Sequence, residues 1–284
     1  MLLIFGKSGQ VASELAHLAP EARFLSRAEV DLGAPATCAA AIRNLRPSAV
    51  INAAAYTAVD KAETEEALAT TINADAPGMM AKACADLNIP LVHISTDYVF
   101  GDGGSVPHAP DDPTAPINAY GRSKLAGEVA VRAAGGPHAI LRTSWVFSAF
   151  GANFVKTMLR LSETRDTLSI VDDQVGGPTP AADIARACLV ITKHLHADPA
   201  LSGTYHFSGA PNASWADLAT EIFAQTGRDV AVTGIPTAAY PTPARRPLNS
   251  RLACSTTEAT FGLGSPDWRA GLATVLHDLQ KAAK

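Results

Sequence analysis

The chain is 284 residues long, 47% hydrophobic and 18% charged, with a formal net charge of −4, so it can bury one large core or two joined ones without disulfide staples. Its four cysteines (Cys38, Cys84, Cys188, Cys254) lie far apart with no C-x-x-C pair, which argues against a zinc knuckle or a secreted disulfide framework and for a reduced, cytoplasmic protein. The dispersed acidity offers no basic stripe for nucleic acid, and with no run of about 18 apolar residues and no signal pattern behind Met1, neither a membrane span nor a leader is expected.

Short apolar runs alternate with helix-like stretches through the first half. Leu2–Phe5 reads as a strand, a Gly turn follows, and 11–18 reads as an amphipathic helix. Further strands are expected at Arg23–Leu25, Ala49–Asn52, 91–95 and 139–142, each rich in Ile, Val or Leu. Strands that are apolar on both faces and separated by helical crossovers predict a doubly wound, Rossmann-type parallel α/β sheet. After Trp145 the rhythm changes. A helix is expected over 153–163, a strand over 168–171, a Gly/Pro loop over 176–180, a helix over 181–195 and a strand over 203–209 that returns to the first sheet. Ser214 is placed to cap a helix carrying Trp215, Leu218, Ala219, Ile222 and Phe223, which stops at Gly227. A Pro-rich loop spans 236–247, and a last helix carries Leu272, Val275, Leu276 and Leu279. The expected division is a dinucleotide-binding part, 1–146 plus about 181–209, and a smaller C-terminal α/β substrate cap, about 147–180 and 210–284.

Three motifs carry chemistry. Gly6, Gly9 and Ala12 form G-x-x-G-x-x-A between the first strand and first helix, where glycines let backbone N–H groups approach a pyrophosphate at the positive end of the helix dipole. An ordinary β-to-α turn gives the same pattern. Tyr120 and Lys124 form Y-x-x-x-K, which stacks both side chains on one helix face, and an ammonium beside a phenol is expected to pull the tyrosine pKa down from about 10. Many helices hold this spacing by chance. Ser95, Thr96 and Asp97 close the 91–95 strand at the edge where such sheets carry ligands, so a hydroxyl there can donate to a substrate carbonyl.

With FGKSGQV at 5–11, VINAAAYTAVDKAE at 50–63, STDYVF at 95–100, YG and SKLAGE within 120–128, RTSWV at 142–146, PTPARRP at 241–247 and NSRL at 249–252, the chain resembles the extended short-chain dehydrogenase/reductase superfamily nearly end to end. The resemblance implies hydride transfer from a reduced nicotinamide to the C4 ketone of dTDP-4-dehydro-L-rhamnose. It implies Tyr120 as general acid, Lys124 as the group that lowers its pKa and holds the nicotinamide ribose, and Thr96 as a hydrogen-bond donor to the same oxygen. Gly6, Gly9, Gln10 and Val11 match the pyrophosphate side of the cofactor. Asp31 and Leu32 match the adenine side, and Ala53, Ala54 and Ala55 line the path by the ribose. Thr57, Val59, Asp97 and Trp145 match positions flanking the sugar nucleotide. Arg245 and Arg246 are candidates for its diphosphate, with the sequence silent on which one reaches it.

No acidic residue closes the second strand, where Leu25 is followed by Ser26 and Arg27, so NADPH is expected with NADH tolerated. A surface role for Arg27 fits equally. The Asp172-Asp173 pair reads as a solvated turn, the histidines lack ligand spacing, and Glu14 alone makes no magnesium site, so no metal is expected. Tyr98 stands where a 4,6-dehydratase of the superfamily needs a glutamate. A 4-epimerase stays open, as does a regulatory role like that of the methionine adenosyltransferase β subunit. A homodimer is expected by family analogy only, with no nucleic-acid or membrane partner.

Overall fold

The computed structural model describes residues 1–282. The first half supplies strands β1 (Leu2–Phe5), β2 (Arg23–Leu25), β3 (Ala49–Asn52), β4 (Leu91–Thr96) and β5 (His138–Thr143) with helices α1 (Gln10–Leu18), α2 (Pro35–Leu45), α3 (Val59–Ala62), α4 (Glu66–Thr70), α5 (Ala76–Leu87) and α6 (Ala119–Ala133). The second half adds β6 (Val146–Phe147), α7 (Phe154–Leu161), β7 (Thr167–Val171), β8 (Val175–Gly176), β9 (Thr179–Pro180), α8 (Ala181–Ala197) and β10 (Gly203–His206). It ends with β11 (Ala213–Ser214), α9 (Trp215–Thr226), β12 (Ala231–Ile235), β13 (Asn249–Ser250), α10 (Ser255–Phe261) and α11 (Trp268–Ala282).

Six strands form one parallel sheet in the order β10-β5-β4-β3-β1-β2. Strand side chains alternate faces, and β1 shows the result. Leu3 and Phe5 pack with Ile42, Met80 and Val131 of α2, α5 and α6 on one face. Ile4 packs with Leu15 of α1 and Ile184, Cys188 and Ile191 of α8 on the other. The chain order reverses between β1 and β3, and in open sheets ligands bind beyond the strand ends at such a switch. A third core joins α7, β7, α9 and α11 through Val155, Leu168, Ile222, Trp268 and Leu272.

The expected strands and long helices are present, with boundaries moved by one to three residues at several ends. Asn153 is a cap rather than a helical residue: its side chain accepts from Lys156 N, and the helix runs only to Leu161. The 203–209 strand stops at His206. The 176–180 stretch is not a plain loop, because its ends are short strands that pair with β11, β13 and β6. The Asp172-Asp173 pair is not simply a solvated turn either, since Asp173 accepts from Thr237 N at 2.9 Å. Ser214 caps α9 in a reciprocal box with Asp217, and Gly227 ends it in the left-handed conformation. Elements that lacked a sequence signal include α10, β12, which runs parallel to β7, and a π-helical turn at Thr71–Asp75 between α4 and α5. Among the described residues no helix is long and apolar enough to cross a membrane.

Candidate active site

At the sheet's switch point, Gly6 adopts φ +106, and a Cβ there would press to 3.3 Å against the Ala53 carbonyl. Glycine therefore lets the turn after β1 run against the segment after β3. Gly9 is the N-cap of α1, no side chain caps that end, and a Cβ on Gly9 would meet no atom within 4 Å. The first-turn N–H groups thus have no side-chain cap, which fits a pyrophosphate at the helix N-terminus. Gln10 reaches across to Val146 O at 3.3 Å and accepts from Asn153 at 2.9 Å, while Val11 and Ala12 are buried in the core. Ala53 N donates to Phe5 O, Ala54 N to Asn52 Oδ1, and Ala55 is exposed.

Leu32 is buried. Asp31 accepts from Gly33 N at 2.9 Å and pairs with Arg27 at 3.5 Å, and the Arg27 side chain is 81% exposed. An acidic residue does follow β2: Glu29, whose carboxylate takes Ser26 N, Ser26 Oγ and Arg23. The Ser26 N–H and hydroxyl, with Arg23 behind them, hold its pKa down at about 2.

Helix α6 presents the Y-x-x-x-K pair. Its N-terminus is fixed twice, by Asn118 Oδ1 accepting from Gly121 N at 2.7 Å and by Glu63 accepting from Ala119 N at 2.8 Å. Gly121 sits so close to the Tyr98 carbonyl that any Cβ would collide with it, which seats the helix on the turn after β4. Tyr120 meets Tyr98 edge-on at 5.7 Å. Burial raises the Tyr120 pKa, the Asp97 carboxylate raises it further, and the Thr96 hydroxyl opposes both.

The expectation that Lys124 depresses the Tyr120 pKa is not met. Lys124 is 2% exposed, its Nζ donates to Ile94 O at 2.7 Å, and it stands 3.5 Å from His93 Nε2. Burial draws its pKa down to about 8, against the pull of Glu128. The ammonium has turned to the strand instead of the phenol, so Tyr120 stays a protonated donor at neutral pH.

Thr96 Oγ1 donates to Asp97 Oδ1 at 3.0 Å and accepts from Tyr98 N at 3.2 Å. Asp97 is 2% exposed. Burial pushes its pKa up to about 6 against Ser250 and Thr96, which lower it. Among the described residues, the buried side-chain polar atoms without a partner are Asp97 Oδ2 and Thr143 Oγ1, and Thr143 is the register partner of Thr96 across β4 and β5. Unpaired buried acceptors are costly, and they collect where a ligand supplies the missing donor.

Beyond the strand ends, Trp145 takes φ +47, a strained backbone for a bulky residue. Its indole stacks on Trp215 at 3.7 Å and 9°, with Trp215 anchored to Gln174 at 3.1 Å and leaning on Phe154. Thr57 is exposed and its carbonyl accepts from the N–H of Val59 at the start of α3. The two arginines differ. Arg246 forks onto Asp60 at 3.0 and 3.1 Å and reaches Thr242 and Ala244 O, so both its terminal nitrogens are engaged within the chain. The Arg245 side chain is 73% exposed with one bond to Asp102 at 3.0 Å, and its carbonyl accepts from Asn118 Nδ2 at 2.7 Å.

Thr96, Asp97, Tyr120 and Lys124 therefore gather at the ends of β4 and α6, with Gly6, Gly9 and Ala53 at the neighbouring strand ends. Asp31 and Arg245 each hold one ion-pair partner, Arg27 and Asp102. Residues that motif reading passed over are Asn118 and Glu63, which fix α6, Ser250 beside Asp97, and the buried pair Asn52 and His93. A histidine inside an apolar strand was the available signal for the last. The arrangement can donate a proton to an oxyanion held by Thr96. Among the described residues no group of three or more His, Cys, Asp or Glu gathers as metal ligands.

The family model described as RmlD substrate binding domain matches residues 1–281. A curated relative, the dTDP-4-dehydrorhamnose reductase of Sinorhizobium fredii (strain NBRC 101917 / NGR234), is 47% identical over 276 residues, covering 94% of this chain and 93% of its own. The enzyme of the same name from Escherichia coli (strain K12) is 40% identical over 292 residues, covering 98% and 97%. Among solved structures, the dTDP-4-dehydrorhamnose reductase of Bacillus anthracis str. Ames in complex with NADP superposes with a TM-score of 0.90 at 35% identity, covering 98% of each chain. That of Clostridium acetobutylicum ATCC 824 gives 0.91 at 37%, covering 98% and 99%.

Proposed function

The chain belongs to the RmlD substrate binding domain family, the family of the dTDP-4-dehydrorhamnose reductases, and from that premise we propose that it reduces the C4 ketone of dTDP-4-dehydro-L-rhamnose to dTDP-L-rhamnose with NADPH. The observation that carries the reading is the placement of a protonated Tyr120 beside Thr96 and Asp97, at the ends of strands that also carry an uncapped helix N-terminus at Gly9.

NADPH supplies the hydride when bound. The turn at Gly6 and Gly9, with Gln10 and Val11 opening α1, takes its pyrophosphate, Asp31 and Leu32 lie toward its adenine, and Ala53, Ala54 and Ala55 run beside its ribose. Lys124 holds the nicotinamide ribose hydroxyls. On the substrate, Tyr120 gives its proton to the C4 oxygen as negative charge develops there, and Thr96 turns its O–H from Asp97 Oδ1 to donate a hydrogen bond to the same atom. Such donors act most strongly where water is excluded. Asp97 Oδ2 accepts from a sugar hydroxyl, which answers its lack of a partner. Thr57, Val59 and the Trp145 indole flank the sugar nucleotide, the indole offering an apolar face to the ring. Of the two arginines, Arg245 is the one with donors to spare for the diphosphate.

The sheet with α1 to α6 and α8 is taken as the cofactor-binding part, and the third core as the body of the substrate-binding part. Four buried free cysteines suit a reducing, cytoplasmic setting. The test is spectrophotometric: with dTDP-4-dehydro-L-rhamnose formed in situ by a 3,5-epimerase from its 4-keto precursor, NADPH absorbance is expected to fall. No oxidation of NADPH or NADH would sink the reaction.

A further inference from the structure

We propose that Asn52 and His93 act as a positioning pair that fixes which imidazole nitrogen carries the proton, and thereby sets the proton affinity of Lys124. The inference rests on the placement of Lys124 in the active site given above. His93 lies in β4 with no exposed surface. Its ring is held between two nitrogen atoms: Asn52 Nδ2 at 3.1 Å from Nδ1, and Lys124 Nζ at 3.5 Å from Nε2.

The Asn52 amide cannot turn over, because its Oδ1 accepts from Ala54 N at 3.2 Å. Its NH₂ group therefore faces the ring, and an amide NH₂ only donates. Nδ1 must accept, so a neutral imidazole carries its proton on Nε2, aimed at Lys124. An ammonium has donors only and meets that N–H unfavourably. A neutral amine can take it on its lone pair while still donating to Ile94 O at 2.7 Å. Burial and the charge of Lys124 hold His93 well below the usual imidazole range, so the ring itself stays neutral.

Other charges around α6 do not produce this effect. Glu128, one turn further on, favours the ammonium, and it is itself tied to Arg142 and Arg132. On the packed elements, Asp97 faces Tyr120, Asp60 is paired with Arg246, Glu66 with Arg122 and Asp86 with Arg43. Lys61, Asp75 and Lys82 are exposed, and the His138 ring turns to Gly136 O at the opposite end of β5. The Asn52–His93 pair is the polar contact on the strand side of Lys124 that opposes its charge. It keeps this lysine able to shed a proton near neutral pH, where an exposed lysine stays charged.

The experiment reads Lys124 directly, by NMR titration of lysine carbons next to the amine in the ligand-free chain, with the resonance assigned by its loss in Lys124→Arg. Asn52→Asp keeps the acceptor for Ala54 N and offers His93 Nδ1 a carboxylate. The ring proton then moves to Nδ1 and a bare Nε2 faces the lysine. The Lys124 midpoint is expected to rise by about one pH unit or more. In a His93→Phe background the same Asn52→Asp change is expected to give less than half that rise, since the imidazole carries the coupling. An unmoved midpoint, or an equal rise with and without the imidazole, overturns the proposal. If Asn52→Asp does not fold, His93→Gln, which brings an amide oxygen to Nζ, is expected to raise the midpoint, and no rise overturns the proposal equally. No substrate enters the titration, so its outcome stands apart from success or failure of the reductase assay.

Discussion

Tyr120 stays protonated because its surroundings make the phenolate costly: burial removes solvent and Asp97 adds a like charge. A general acid needs that state. Tyr120→Phe keeps the ring against Tyr98 and removes only the donor, so turnover is expected to fall by about 10²–10⁴-fold. NADPH affinity, read by fluorescence titration, should be nearly unchanged. Asp97 is a second residue whose environment opposes its charge. Its carboxyl rises from 3.8 to about 6 in the fold, a shift of order 3 kcal/mol. The sign follows from linkage: a raised folded pKa gives stability that is full below about 3.8 and is lost as pH rises through about 6. Asp97→Asn is therefore expected to be more stable than the parent at pH 7–8 by chemical denaturation, to flatten the decline between pH 4 and 7, and to turn over more slowly. Equal stability curves for the two proteins would mean that Asp97 is not strained by its site.

Helix α6 is the element on which the site depends, with Tyr120, Lys124 and Glu128 spaced at i, i+4 and i+8 on one face. Glu128 is fully buried and takes a forked bond from Arg142 at 2.7 and 2.9 Å and one from Ser95 at 2.6 Å. Removing one partner of such a pair strands the other charge in a dry interior. Glu128→Gln is expected to cost about 3–5 kcal/mol by thermal or urea denaturation. A loss below about 1 kcal/mol would mark the pair as solvated. Elements with strong periodicity or cap chemistry were legible in the sequence: the β1 turn with its glycines, the apolar strands of the sheet, and the Ser214 cap. Those whose form is set by tertiary contact were not. The strands β8 and β9 are too short to show alternation, β12 contains Gly234 and is largely exposed, and the π turn at Thr71–Asp75 is shaped by Asn73 clamping Tyr56 through both its backbone atoms. In the site, motif spacing put Tyr120 and Lys124 on one face, but it could not reveal that Lys124 reaches for Ile94 O. That contact belongs to the strand underneath, which a helix motif does not describe.

At the scale of the whole molecule, a chain of net charge −4 holding two diphosphate-bearing ligands must attract them locally. The helix N-terminus at Gly9, which no side chain caps, and the exposed guanidinium of Arg245 are the local devices available. Cross-links such as Asn118 to Arg245 O and Arg246 to Asp60 tie the 241–247 segment to the N-terminus of α6 and to α3. A reductase consumes its nicotinamide as a substrate, whereas an epimerase of the same superfamily regenerates it within each cycle. The most direct measurement is the stoichiometry of NADPH oxidised to dTDP-L-rhamnose formed, followed by absorbance and chromatography in one reaction. The fold and site described here predict one NADPH oxidised per sugar nucleotide reduced. Conversion of the sugar nucleotide without net loss of NADPH would contradict the assignment.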